Sequence, residues 1–331
     1  MEKVNKILAV NFGGIGDEIL FLPALVSLKK EFPKAKITLA LEPRSKCIKD
    51  LTDVIDDLIQ VDIKNKNKYV ELLKFIFKAR KCGFDLAITA GANKFMSIIL
   101  FLTGAKKRYG YDCGILSRIL LSKAVRLNKN RYAAKMYHDL VSPVTANVTE
   151  LPVINIPAPE KIKNSVLIHP GVSKMSVQKG MIKTIPAEIW AQTIDLLVQA
   201  GKNVMLAGGP DDSDCIETIL KNVQTKDFEN FYGKTKNIAD LAILIGKAEI
   251  FLCSDSAPLH IAVAMGTKTF AIFGPTDDKK LIPPQVTPVK AKDNCALKPC
   301  LWEKRQTTCR SLDCLKISAS DIADTVLKSG L

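Results

Sequence analysis

KILAVNFGGIGDEILFLP, residues 6–23, is the most informative stretch of this sequence. Its first apolar run predicts a buried strand. Gly13, Gly14 and Gly16 then predict a turn in which the backbone can approach a ligand closely. Asp17 stands where a helix is predicted to begin. Because open α/β sheets bind ligands at the carboxyl ends of their strands, we expect Asp17 to be a carboxylate that takes a proton from a ligand.

The same alternation of strand-like and helical patterns continues along the chain. Between residues 151 and 163, LPVINIPAPEKIK holds three prolines and no helical period, which predicts an extended linker. After the linker the pattern restarts with strand, glycine turn and helix. Strands are predicted at 7–12, 36–41, 58–61, 85–89, 166–169, 203–207, 250–253 and 269–273, and helices at 18–31, 69–81, 187–200 and 238–247.

Length and composition support two domains. The chain has 331 residues, of which 47% are hydrophobic, enough for two cores of ordinary size. Alternating strands and helices predict the α/β class with parallel sheets. We therefore predict two Rossmann-like domains, 1–155 and 156–331, whose glycine turns face each other across an interdomain cleft.

The charge of the chain is concentrated in its first half. Residues 1–165 hold 28 basic and 16 acidic residues, a net charge of +12, whereas residues 166–331 hold 20 and 18. Within 93–135, ten basic residues accompany Asp112 alone. This pattern predicts an anionic partner, such as a phosphorylated lipid, a membrane surface or a nucleic acid. The alternative is a lysine-rich protein whose charged faces are merely solvated.

Two classes of protein are disfavoured by composition. Aromatic residues make up only 6% of the chain, and no nucleic-acid-binding motif is recognisable, so a base-stacking surface is not expected. No apolar run approaches the roughly 18 residues of a membrane span. The first ten residues lack the long apolar region of a signal peptide, which predicts a cytoplasmic protein.

The second half carries several candidate anion-binding turns. GGPDD at 208–212 follows a predicted strand, and its acids either cap the next helix or bind a ligand. SDSAPLH at 254–260 precedes a predicted helix whose amino-terminal N–H groups would bind a phosphate. FGPTD at 273–277 repeats the pattern of strand and glycine turn. The polar, lysine-containing segment 171–185 is long for a connection between strand and helix, which predicts a functional loop.

These motifs together resemble glycosyltransferase family 9, the ADP-heptose:lipopolysaccharide heptosyltransferases. Gly16-Asp17 followed by an apolar stretch and Pro23 is similar to the first signature of that family. Asp255 and Ser256, with His260 five residues after the aspartate, are similar to the second. The resemblance extends from about residue 6 to residue 325 and includes the whole of 273–277.

The resemblance implies a glycosyltransferase B architecture and an inverting transfer of a sugar, with Asp17 as general base. It implies a nucleotide-sugar donor, ADP-linked, and an anionic glycolipid acceptor at the inner face of the cytoplasmic membrane, with no cofactor, no metal and no nucleic acid. The donor would be bound by Lys183, Asp212 (or Asp211 in its place), Asp255, Ser256, Ala257, His260, Gly274 and Thr276. Together with the charge pattern, it assigns the acceptor to Gly14, Gly16, Lys106, Lys107, Arg108, Arg126 and Arg131.

Some features depart from the family or leave alternatives open. Ala257 replaces the usual glycine, and Thr184-Ile185 replaces the more usual arginine and tryptophan, so the donor sugar stays open. Cys295, Cys300, Cys309 and Cys314 are separated by four, eight and four residues. Because paired zinc ligands usually stand two to four residues apart, a zinc site and a structural or redox role both remain alternatives.

Two other functions are weighed against glycosyl transfer. A nucleotide-sugar epimerase of the same architecture would need further acids and a histidine in its cleft, and the chain has three histidines in all. A catalytically degenerate family member is the other alternative. It is disfavoured because Asp17, Lys183, Asp255 and His260 are all retained.

Overall fold

The computed structural model describes residues 3–64, 66–292, 295–301 and 307–328. The chain divides into two compact units, Met1–Asn155 (unit 1) and Ile156–Leu331 (unit 2). Each unit contains a six-stranded sheet in which every pair of neighbouring strands is parallel. The predicted α/β class is therefore confirmed.

Unit 1 is a doubly wound sheet with strand order β3-β2-β1-β4-β5-β6. The order changes direction between β1 and β4, and at such a switch point open sheets bind their ligands. The strands are β1 (Lys6–Val10), β2 (Lys36–Leu41), β3 (Asp57–Gln60), β4 (Leu86–Thr89), β5 (Lys107–Tyr111) and β6 (Lys123–Val125). The helices are α1 (Ile15–Glu31), α2 (Lys68–Cys82), α3 (Lys94–Leu102), α4 (Ile115–Leu120) and α5 (Ala133–Asp139), with a 3₁₀ helix at Pro43–Leu51.

Helix α1 is buried almost all round. Its residues Ile19, Leu20, Phe21 and Leu22 are consecutive and at most 2% exposed. The reason is its neighbours, because α5 and the 3₁₀ helix both pack against it. Helices α2 and α3 contribute to a separate core cluster with residues of β1 and β4.

Unit 2 repeats the topology of unit 1, with strand order β12-β11-β10-β7-β8-β9. Its switch point lies between β7 and β10, the first and fourth strands of the unit. The strands are β7 (Ile162–His169), β8 (Asn203–Leu206), β9 (Glu229–Asn230), β10 (Ala248–Ser254), β11 (Lys268–Ile272) and β12 (Val286–Val289). The helices are α6 (Lys174–Gln178), α7 (Ala187–Gln199), α8 (Ser213–Asn222), α9 (Ile238–Lys247), α10 (Ala257–Ala264), α11 (Asp278–Leu281) and α12 (Ala319–Lys328), with 3₁₀ helices at Pro210–Asp212 and Asp313–Leu315.

The sequence pattern missed β5, β6, β9 and β12, which lie toward the edges of the two sheets. The basic stretch 93–135 is not one charged surface, because it contains α3, β5, α4, β6 and the start of α5. Edge strands need less apolar sequence than central ones, since fewer of their residues are buried. Over the described ranges, no helix combines the length and the hydropathy needed to cross a bilayer.

Candidate active site

Asp17 is held by two hydrogen bonds at the carboxyl end of β1. It is the third residue of α1, and the backbone N–H of Gly14 donates to its Oδ2 at 2.8 Å. The hydroxyl of Tyr137 donates to its Oδ1 at 3.3 Å. A side chain at Gly13 would overlap Asp17, whereas one at Gly14 would make only ordinary contacts, the nearest being 3.7 Å from Arg44. The glycine at position 13 therefore makes room for the carboxylate.

Tyr137 belongs to α5, which packs against α1. Its ring meets that of Phe21 edge-on, with centroids 5.7 Å apart. Burial, followed by the negative charge of Asp17, raises the pKa of Tyr137 well above its ordinary value, so its hydroxyl stays a donor. No sequence signal pointed to this residue, because it is 120 positions from Asp17 and only the packing of α5 brings the two together.

Glu18 is a buried carboxyl next to Asp17 that the sequence analysis did not single out. It is 1% exposed, and neither carboxyl oxygen has a hydrogen-bond partner. Asn11, 5% exposed at the end of β1, has a side-chain nitrogen that is likewise without a partner. Burial and the charge of Asp17 raise the pKa of Glu18 well above its ordinary value. The nearby amide of Asn11 and the positive charge of Arg44 lower the pKa and offset this rise only in part. A charged residue directly before the apolar run 19–26 is the signal that could have revealed it.

The basic residues assigned to the acceptor fall into two groups. Lys106 directly precedes β5, and Lys107 and Arg108 begin it; through β4, Lys107 lies in register with Ile7 at the amino end of β1. These three therefore lie at the opposite sheet edge from Asp17. Lys106 is paired with Asp85 at 2.8 Å, and the Arg108 guanidinium donates to the backbone carbonyls of Ala105, Lys106 and Leu120.

Arg126 and Arg131 lie at the same sheet edge as Asp17, because both follow the carboxyl end of β6. Arg126 is exposed. Arg131 donates to both carboxyl oxygens of Asp139, at 2.7 and 2.9 Å. Since Asp139 lies on α5 two residues after Tyr137, this pair ties the β6 loop to the helix that contacts Asp17.

In unit 2, Asp255 follows β10 at the switch point and accepts hydrogen bonds from two of the other predicted residues, Lys183 and Thr276. The Lys183 ammonium donates to its backbone carbonyl at 2.7 Å and to its Oδ2 at 3.2 Å. The hydroxyl of Thr276, after β11, donates to the same Oδ2 at 2.8 Å. Asp255 and Thr276 are buried, and the Lys183 side chain is 23% exposed. An ammonium has three N–H donors, so one remains for a ligand.

Helix α10 begins directly beside this cluster. Ser256 is its N-cap, and the serine side chain makes no capping hydrogen bond. Ala257 is the first helical residue, and His260 is buried in the first turn. Such a helix start favours negative charge. Gly274 is also buried, and a Cβ there would lie 2.5 Å from Leu315, so its smallness serves that packing.

Thr184 connects the long loop to the sheet. Its hydroxyl donates to the carbonyl of Pro170 at 2.8 Å and accepts from Trp190 Nε1 at 3.1 Å. The hydroxyl of Ser254, at the end of β10, lies 2.8 Å from it. These bonds fix the backbone next to Lys183.

Asp212, rather than Asp211, is the buried acid of the glycine turn after β8. The N–H of Gly209 donates to Asp212 Oδ2 at 2.7 Å, while Asp211 is exposed and accepts from the Lys174 N–H at 3.3 Å. His169 ends β7 and is also buried, with its Nε2 3.7 Å from Asp212 Oδ2 and its Nδ1 without a partner. Burial lowers the pKa of His169 and raises that of Asp212, and the attraction between the two groups opposes both shifts.

The four clustered cysteines Cys295, Cys300, Cys309 and Cys314 line one small cavity in unit 2. All four are free thiols. Burial raises the pKa of Cys300 and of Cys314, whereas backbone hydrogen bonds lower that of Cys309. Among the described residues, no three histidine, cysteine, aspartate or glutamate side chains are arranged to hold a metal ion.

Residues 72–314 match the sequence profile of glycosyltransferase family 9 (heptosyltransferase). The chain belongs to this family. It is therefore a glycosyltransferase. The matched range includes Lys183, Asp212, Asp255 and Thr276 but begins after Asp17, so the family assignment and the placement of Asp17 are separate observations.

Individual proteins agree with the family match. Lipopolysaccharide heptosyltransferase 3 of Escherichia coli is 26% identical over 295 residues, which cover 79% of this chain and 81% of that protein. A solved family 9 glycosyltransferase from Veillonella parvula is 25% identical, with a TM-score of 0.71 over 87% of this chain and 86% of the other. An Escherichia coli heptosyltransferase solved with ADP-2-deoxy-2-fluoro heptose has a TM-score of 0.74 over 98% of this chain and 99% of the other. Because it is only 15% identical, it shows the shared fold alone.

Proposed function

We propose that this family 9 glycosyltransferase transfers a heptose from ADP-heptose to an anionic glycolipid of the lipopolysaccharide-core type. The observation that carries the proposal is the carboxylate of Asp17, oriented by the Gly14 N–H and the Tyr137 hydroxyl at the carboxyl end of β1. The donor and acceptor classes come from the relatives, namely a lipopolysaccharide heptosyltransferase and a heptosyltransferase solved with an ADP-linked fluoroheptose.

In the proposed reaction, Asp17 takes the proton of the acceptor hydroxyl. The acceptor oxygen forms a bond to the anomeric carbon of the donor sugar while the bond from that carbon to the diphosphate oxygen breaks. The electron pair of that bond leaves with ADP. A single in-line displacement of this kind inverts the anomeric configuration and needs no covalent intermediate. General-base catalysis typically contributes about 10²–10⁴-fold to the rate.

The cluster of Lys183, Asp255 and Thr276 in unit 2 is suited to binding the leaving diphosphate. The negative charge of the diphosphate grows as the bond breaks, and preorganised positive groups stabilise charge that develops in a transition state. The Lys183 ammonium and the start of α10 supply such groups. Asp212 would accept hydrogen bonds from the ribose hydroxyls. Arg126 and Arg131 are the basic residues suited to acceptor phosphates, since they follow β6 at the sheet edge that carries Asp17. On this proposal the reaction uses no metal ion and takes place at the inner face of the cytoplasmic membrane.

The test is transfer from a panel of ADP- and UDP-sugars to a purified phosphorylated core glycolipid, with and without EDTA. We expect ADP-heptose to be used and EDTA to leave the rate unchanged. The nearly isosteric Asp17→Asn should bind ADP as the unmodified protein does and lose about 10²–10⁴-fold in kcat. Turnover of Asp17→Asn within a few-fold of the unmodified enzyme contradicts the assigned base. Complete loss in EDTA, restored by a divalent ion, contradicts the metal-independent route.

A further inference from the structure

The outer surface of helices α2, α3 and α4 exposes large apolar side chains. Among the described residues, every strongly exposed aromatic side chain lies on α2 or α3. Phe77 is 70% exposed, and Ile119 on α4 is 71% exposed. A contiguous apolar patch of this kind marks an interaction site on a protein. We call it the apolar helix surface; its main residues are Tyr69, Phe77, Phe95, Phe101, Ile115 and Ile119.

The three helices form a continuous layer. Each leads into the next strand of one side of the sheet, α2 into β4, α3 into β5 and α4 into β6. Helix α3 contacts both of its neighbours. The Arg80 guanidinium of α2 also donates to the carbonyl of Leu102 at the end of α3, at 3.2 Å. The exposed apolar residues therefore belong to one surface rather than to scattered positions.

Cations accompany the exposed aromatic rings of this surface. The Lys68 ammonium lies 5.1 Å from the ring centre of Tyr69, that of Lys94 lies 5.8 Å from Phe95, and the Arg108 guanidinium lies 5.4 Å from Phe101. Helix α2 carries five basic residues and a single acid, Glu71. A helix with an apolar stripe and a basic polar face is the pattern that lies in the interface of an anionic bilayer.

We infer that the apolar helix surface binds unit 1 to an anionic phospholipid bilayer. The apolar side chains would enter the headgroup region, and Lys68, Lys78 and Lys94 would meet lipid phosphates. The charge argues against a second copy of the chain as the occupant, because two such surfaces would bring like charges together. This inference rests on the proposed function in one respect, since a lipid-linked acceptor is what gives the enzyme a reason to reside at a membrane.

The surface also accounts for the basic residues at the amino end of β5. Arg108 stacks on Phe101, so it lies at the margin of the apolar helix surface and far from Asp17 along the sheet. Lys106 is 75% exposed in spite of its ion pair with Asp85. Part of the charge in 93–135 that predicts an anionic partner thus lies at this margin, and another part lies in the loop after β6, where Arg126 and Arg131 lie.

The experiment is cosedimentation of the full chain with vesicles of equal parts phosphatidylglycerol and phosphatidylcholine, and with vesicles of phosphatidylcholine alone. We expect binding to the anionic vesicles that falls at least about tenfold in the double variant Phe77→Ser with Ile119→Ser, since each change removes several buried methylene equivalents. The matched control is Val148→Ser, because Val148 is 67% exposed on unit 1 but lies on none of the three helices. It should bind as the unmodified chain does.

Unchanged vesicle binding by the double variant overturns the inference. A second measurement, light scattering on the chain without vesicles, tests self-association. A dimer that dissociates in the double variant would assign the surface to a second copy instead. Transfer to a detergent-solubilised acceptor should be the same in the double variant as in the unmodified enzyme. Vesicle binding without any transfer would defeat the proposed function and leave the membrane surface standing.

Discussion

At the scale of single residues, the site in unit 1 pairs two adjacent carboxyl groups with opposite surroundings. Asp17 is half-buried and receives two hydrogen bonds, whereas Glu18 is buried and receives none. A carboxylate accepts hydrogen bonds and a base must be ionised to act, so Asp17 is suited to that role. A buried carboxyl without partners is most stable when it is protonated. Glu18 therefore does not add a second negative charge beside the base.

The raised pKa of Glu18 gives the stability of unit 1 a defined pH dependence. Above the ordinary pKa of glutamate the folded protein keeps a proton that the unfolded chain has released, so stability falls as pH rises through this window. Glu18→Gln stays neutral and escapes this loss. We expect its free energy of unfolding to gain on that of the unmodified protein by up to about 1.4 kcal/mol for each pH unit, until the raised pKa is reached.

Thermal unfolding of both proteins between about pH 5 and pH 8 measures the difference. The control is Glu217→Gln on α8, because Glu217 is exposed and water solvates its carboxyl in both states. A difference between Glu18→Gln and the unmodified protein that stays constant with pH would show that Glu18 is ionised in the fold.

At the scale of elements, each unit contains a turn in which the N–H of a glycine donates a hydrogen bond to the carboxylate of the aspartate three residues later. In unit 1 the pair is Gly14 and Asp17, and in unit 2 it is Gly209 and Asp212. The bond satisfies an N–H at the start of a helix that would otherwise lack an acceptor. It also fixes the direction of the carboxylate, so the same local device positions one acid in each unit.

The glycine at position 171 leads to a prediction about the second of these turns. A Cβ at Gly171 would overlap the carboxyl group of Asp212, whereas one at Gly209 would lie 3.7 Å from it, an ordinary contact. Gly171→Ala should therefore displace Asp212, and Gly209→Ala should not. If Asp212 binds the donor ribose, Gly171→Ala loses that hydrogen bond, about 0.5–1.5 kcal/mol, and the Kd for ADP rises about two- to tenfold.

Calorimetric titration with ADP measures both variants, and their melting temperatures show that each is folded. Equal Kd values for Gly171→Ala and Gly209→Ala would remove Asp212 from the donor site. A large loss of affinity in both variants would instead indicate that the turn backbone, rather than the carboxylate, contacts the nucleotide.

The sequence predicted the elements around the glycine turns better than it predicted their surroundings. Central strands such as β1 are short apolar runs, so their position follows from hydrophobicity alone. β5, with the sequence KRYGY, has a charged first half, so its pattern indicates a basic surface rather than a strand. Contacts between distant segments, such as Tyr137 with Asp17, depend on which helix packs against α1, and no local pattern encodes that. Asp255 and Thr276 were predictable because they follow β10 and β11 of one sheet, whereas Lys183 lies in the loop before α7 and was assigned only by the family resemblance.

At the scale of the whole molecule, charge and chemistry divide along the chain. Residues 1–165 carry a net charge of +12 and residues 166–331 only +2, although both halves are assigned anionic ligands. The proposed acceptor and the bilayer meet many exposed cations in the first half. The proposed donor meets few cations in the second half, with Lys183 partly buried beside Asp255. Salt screens exposed charges more strongly than buried ones, so the two ligands should differ in their sensitivity to salt.

Raising the salt concentration should therefore weaken binding of the acceptor and leave binding of the donor nearly unchanged. The Debye length shortens from about 10 Å at 0.1 M to about 3 Å at 1 M. Each exposed cation near an anionic lipid surface contributes about 1 kcal/mol at ordinary salt. With a detergent-solubilised phosphorylated acceptor, we expect its KM to rise about tenfold or more over this range, while the Kd for ADP changes only about two- to threefold. A dephosphorylated acceptor is the control and should show little dependence on salt. Parallel weakening of donor and acceptor binding would contradict a selective action of these cations on the acceptor, and an acceptor KM that does not change with salt would mean that their excess is only a solvated surface.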